Sequence, residues 1–100
     1  MAFHTVVLEE ATGKVLDSVV GVRLDPLLPA LDDERSACLR FIDPYGDTVF
    51  NGLQAEVLRR ELIAALEQSS DVDQESTGRV ADLLERCHDG VHLYVRFIGD

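Results

Sequence analysis

The chain has no tryptophan, one methionine, two cysteines and only nine basic residues, of which Lys14 is the single lysine. Two cysteines cannot build a disulfide framework or a four-thiolate zinc site, so Cys38 and Cys87 are expected to be free thiols. No run of bases exceeds Arg59-Arg60. Nucleic-acid backbones and anionic lipid surfaces both require clustered Lys and Arg, so neither is expected as a partner. No window approaches the roughly 20 apolar residues that span a bilayer, and no apolar signal-like segment follows Met1; the expected location is the cytoplasm. Ser18, Ser36, Ser69, Ser70 and Ser76 lie in no nucleophile elbow, and no glycine-rich phosphate loop occurs, so nothing marks an enzyme or a cofactor site.

Acid and apolar residues are plentiful. Nineteen carboxylates give a formal charge of -10, spread as -2 over residues 1–30, -3 over 31–50, -1 over 51–70 and -4 over 71–100. At 46% hydrophobic residues the chain is ordinary for a globular protein, which argues against disorder. A chain of this size buries roughly 65% of its extended surface, enough for one core, so residues 1–100 are read as a single domain.

Residues 41–66 organise the rest. An apolar run ends at Asp43-Pro44-Tyr45-Gly46, which has type I turn chemistry: Asp first, Pro second, Gly fourth. Thr48-Val49-Phe50 returns as a short strand, and Asn51 with Gln54 has the spacing of a capping box at a helix start. Leu53, Val57, Leu58, Leu62, Ala65 and Leu66 then recur at helical intervals and are read as the core face, opposite Glu56, Arg59, Arg60 and Glu67.

Upstream, residues 3–9 and 14–20 are β-branched runs joined through Gly13 as a hairpin. His4, Val6 and Leu8 fall on one face of the first run and Phe3, Thr5 and Val7 on the other, so neither face is cleanly polar. Pro26 and Pro29 exclude a central strand from the next stretch, where Asp25 is expected to cap one short helical turn. Asp32-Asp33-Glu34 follows as three exposed like charges, and residues 37–43 read as a strand. Downstream, the acidic run Asp71, Asp73, Glu75 links to a second helix starting near Gln74 or Ser76. Gly90 is expected to close that helix in the left-handed conformation. Residues 91–98 alternate strongly, with Val91, Leu93, Val95 and Phe97 on one face. Arg40-Phe41-Ile42 and Arg96-Phe97-Ile98 echo each other, which predicts neighbouring strands. The predicted fold is α+β: a mainly antiparallel sheet of four to five strands (3–9, 14–20, 37–43, 48–50, 91–98) with helices at 53–68 and 76–89 packed on one face.

Cys87, His88 and His92 superficially suggest zinc, but the ligand spacing is absent and Gly90 separates the histidines. They read instead as a core thiol, a helix-end imidazole and a sheet residue, with no metal. Asp43, Asp47 and Asn51 offer hard oxygens, yet not at EF-hand spacing.

The segments Phe41 to Asn51 and Leu93 to Asp100 resemble those of a group of small uncharacterised bacterial proteins. The resemblance implies no activity. From the residues themselves, the expected function is that of an acidic protein-binding module: an inhibitor, immunity protein or antitoxin engaging a basic protein. Asp43, Tyr45 and Asp47 form the preferred contact, supported by Asp32, Asp33 and Glu34. The alternatives are a non-catalytic housekeeping domain or a homodimer pairing a sheet edge, with a metal-dependent hydrolase using Asp43 and Asp47 ranked below them.

Overall fold

A computed structural model describes residues 2–69 and 73–99. Strands β1 (Phe3–Glu9), β2 (Val15–Val22), β3 (Asp47–Asn51) and β4 (Leu93–Ile98) form one antiparallel sheet in the order β2-β1-β4-β3. Helices α1 (Gly52–Glu67) and α2 (Gln74–Asp89) pack on each other and on the same side of that sheet. This is the expected α+β architecture.

Local chemistry accounts for the boundaries. Gly13 sits at φ 72 and closes the β1–β2 hairpin without strain. Asn51 accepts from the Gln54 amide at 2.9 Å while Gln54 Oε1 accepts from the Asn51 amide at 3.0 Å, completing the capping box that starts α1. Asp73 caps α2 by accepting from the Ser76 amide at 3.2 Å. Phe3, Thr5 and Val7 on β1 and Val95 and Phe97 on β4 point under the helices, where Leu58, Leu62, Val80, Leu84 and Cys87 meet them. Phe50 meets Phe97 edge-on, with ring centroids 6.0 Å apart.

The predicted strand at 37–43 is not a strand. Residues Leu39–Phe41 form a 3-10 turn. Glu61 Oε1 on α1 lies 3.2, 2.7 and 3.4 Å from the amide nitrogens of Ala37, Cys38 and Leu39, and Ser36 Oγ accepts from the Arg40 amide at 2.9 Å. Those amides are spent on side chains, so they cannot join a ladder. Arg40 and Arg96 are therefore not on neighbouring strands, and the echo between them is one of composition alone.

Smaller corrections follow from packing. Leu53 is 78% exposed and Val57 is also exposed. Leu58 and Leu62 of the predicted stripe are buried and Ala65 packs against the core, while Ala55, outside the predicted stripe, completes the buried line. Asp25 lies inside its 3-10 turn (Asp25–Leu27), not at the cap, which is Leu24. Gly90 is extended at φ -83, and the left-handed residue is His92 at φ 56. Val91 and His92 precede β4, and Val91 is exposed.

The sheet has two unlike ends. Val22, Phe3, Ile98 and Asp47 align at one end, and residues 23–46 cross there from the outer strand β2 to the outer strand β3. Leu24, Leu27, Cys38, Leu39 and Ile42 bury into the core and close that end beneath α1. At the other end lie the hairpin turn, the start of α1 and the close of α2.

Candidate functional site

The residues predicted to contact a partner all lie on, or at the border of, the 23–46 connection. That connection holds Asp25, Asp32, Asp33, Glu34 and Asp43 against Arg23, Arg35 and Arg40, a net -2. The connection is acidic, but most of the protein's negative field arises elsewhere.

The 43–46 turn is fixed at three points. Asp43 Oδ1 accepts from the Tyr45 amide at 2.8 Å, and the Asp43 amide donates to Thr48 Oγ1 at 2.9 Å. The Gly99 amide donates to the Gly46 carbonyl at 2.8 Å, joining the turn to the end of β4. Gly99 permits this close approach: a Cβ there would lie 2.5 Å from the Pro44 carbonyl oxygen. On this braced turn Tyr45 is 76% exposed.

Asp47, by contrast, starts β3 and pairs with the Arg96 guanidinium on β4, with Nε 3.0 Å from Oδ2. It is a cross-strand ion pair on the open sheet face, not a free carboxylate beside Asp43. Asp33 is likewise committed: Arg35 grips both of its oxygens at 3.0 Å, and the Arg35 amide donates to Oδ1 at 3.1 Å. Hydrogen bonds from Arg35 hold the Asp33 carboxyl below its ordinary range. Asp32 and Glu34 are exposed and make no ion pair among the described residues.

The third expected acidic run is largely structural. Asp73 is the α2 cap, its carboxyl held low by hydrogen bonds from Ser76, and Glu75 pairs with Arg79 at 3.0 Å. Asp71 lies outside the described residues.

Tertiary structure adds neighbours that the sequence pattern did not mark. The Arg40 guanidinium stacks 4.7 Å from the Phe41 ring centroid and donates to the Leu31 carbonyl at 3.4 Å. Leu31 and Phe41 are both exposed, and Arg40 is tied to the backbone of the first and to the ring of the second. Glu61 positions this segment by accepting from its amides; nothing in the helical periodicity distinguishes it from other outward glutamates.

At the opposite end, His88 Nδ1 lies 3.1 Å from the Gly52 carbonyl and His92 Nδ1 lies 3.2 Å from Glu10 Oε2. Both imidazoles border an open concavity of about 360 Å³. Among the described residues no three His, Cys, Asp or Glu side chains are grouped so as to hold a metal ion. Cys87 is buried, its Sγ 3.6 Å from the Leu93 carbonyl, and burial pushes its thiol up to about 11. No described helix is long and apolar enough to cross a membrane.

No family model, curated protein or solved structure matches the chain.

Proposed function

We propose that the protein is a non-catalytic binding module that engages a basic protein through the 23–46 connection and the turn that ends it. The observation that carries this reading is the braced display of Tyr45, 76% exposed on a turn held by Asp43, Thr48 and Gly99. An aromatic side chain with only two rotatable angles, carried on a braced turn, loses little conformational entropy on binding, which is the property of an energetic anchor. The exposed Leu31 and Phe41 add apolar contact, and the exposed carboxylates of Asp32 and Glu34, which make no ion pair among the described residues, supply an acidic rim. The formal charge of -10 adds long-range attraction for a basic partner.

This reading moves weight from Asp47 and Asp33, which are neutralised by Arg96 and Arg35, to Asp32 and Glu34. An inhibitor, an immunity protein or an antitoxin would all use such a surface. The test is capture of a partner from the host at low and at high salt, followed by measurement of association and dissociation rates. Tyr45→Ala should raise the dissociation rate at least tenfold, and Asp32→Lys with Glu34→Lys should slow association and flatten its salt dependence. A captured partner whose rates are unmoved by both changes would refute this surface as the docking site.

A further inference from the structure

We propose that the uncovered face of the sheet is a homodimer interface on which a second copy of this chain packs sheet to sheet. Both helices lie on one side, leaving the other side bare. An antiparallel sheet with one solvated face ordinarily turns polar residues outward. Here the paired register places twelve residues on the bare face, and seven of them are apolar. Val20 is 69% exposed on β2 and Val49 is 52% exposed on β3, at opposite margins, while Val6 between them on β1 is already closed over at 4%.

Charge selects the occupant. The only formally charged residues among the twelve are Asp47 and Arg96, and they pair with each other. The face is thus neutral on a protein of charge -10. A basic partner finds no excess charge to recognise there. Two copies of an acidic chain, whose net charges repel, meet on this face without opposing like charges, and a two-fold axis presents the same neutral patch from both sides.

The area is sufficient. Four strands about 4.8 Å apart and six residues long cover a footprint of roughly 20 by 20 Å. With side-chain relief this is about 600 Å² per copy, or about 1,200 Å² in total, the lower bound for a specific interface. Packed sheets of this kind sit about 10 Å apart with side chains interleaved. The inference is independent of the proposed docking function, which uses the end of the sheet.

Sedimentation analysis of the full chain between ~1 and ~100 µM tests it. The expected result is a monomer–dimer equilibrium that strengthens with added salt, because screening relieves the repulsion between acidic bodies. Binding of a basic partner should weaken with salt, so the two readings fail separately. Val20→Lys and Val49→Lys, both at exposed positions that leave the fold intact by circular dichroism, should each raise the dissociation constant at least tenfold. They sit on opposite edge strands, so a dimer formed by pairing one sheet edge would respond to only one of them. A monomer throughout this range, a dimer weakened by salt, or a dimer sensitive to only one substitution or to neither would overturn the proposal.

Discussion

Glu61→Ala removes the carboxylate that receives the amides of Ala37, Cys38 and Leu39. A hydrogen bond to a charged group contributes about 1.5–3 kcal/mol where water is excluded, and much less where water can replace it. The Ala37 amide is at the exposed rim, while the 2.7 Å bond to Cys38 is partly buried. The Leu39 contact, at 3.4 Å, is long. One strong bond and two weak ones therefore give an expected loss of about 2 kcal/mol. At a urea slope of about 1.5 kcal/mol/M this lowers the unfolding midpoint by roughly 1–1.5 M. Glu61→Gln keeps an accepting oxygen without the charge and should lose about half as much. Hydrogen exchange adds location: the Ala37 and Cys38 amides should lose protection in Glu61→Ala beyond the global change read at Val95 in the sheet centre. An unchanged midpoint in Glu61→Ala would refute the assignment of Glu61 as the group that holds this segment. Binding at the proposed docking surface should weaken in the same variant, because Phe41 ends the 3-10 turn that this segment leads into.

Two further outcomes concern the core. Leu62→Ala, at a side chain 1% exposed, should cost about 2–5 kcal/mol by opening a cavity, measured by the same urea titration. For Cys87, burial favours the neutral thiol and raises its pKa from 9.0 to about 11. The folded state then binds the proton more tightly than the unfolded one, so this stabilisation is complete below about pH 9 and fades as pH rises toward about 11. The wild type should lose more stability than Cys87→Ala between about pH 8 and about pH 10.5; equal losses would contradict the assignment.

Much of the architecture was legible because its signals are local. The capping box at Asn51 and Gln54, the Asp43-Pro44-Tyr45-Gly46 turn and the alternation of Val95 and Phe97 each depend on atoms within a few residues, so periodicity and turn chemistry reveal them. The net acidity and the absence of clustered bases are likewise properties of the chain itself. The exposure of Tyr45 followed from its place in a turn, and the mixed polarity of the two β1 faces was visible as an alternation of His4, Val6 and Leu8 with Phe3, Thr5 and Val7.

Contacts between distant residues decided the rest. Residues 37–43 carry a strand-like pattern, but Glu61, more than twenty positions away, captures their amides and converts the segment into a turn. Asp47 looked like a partner for Asp43 until β3 settled beside β4 and gave it Arg96. Leu53 and Val57 fit the same helical stripe as Leu58 and Leu62, yet the position of β4 and α2 leaves the first two exposed and buries Ala55 beside the other two. The physical reason is common to all three cases: a side chain's periodicity specifies which neighbours share its face, whereas its electrostatic partner and its burial depend on what the rest of the chain brings against that face.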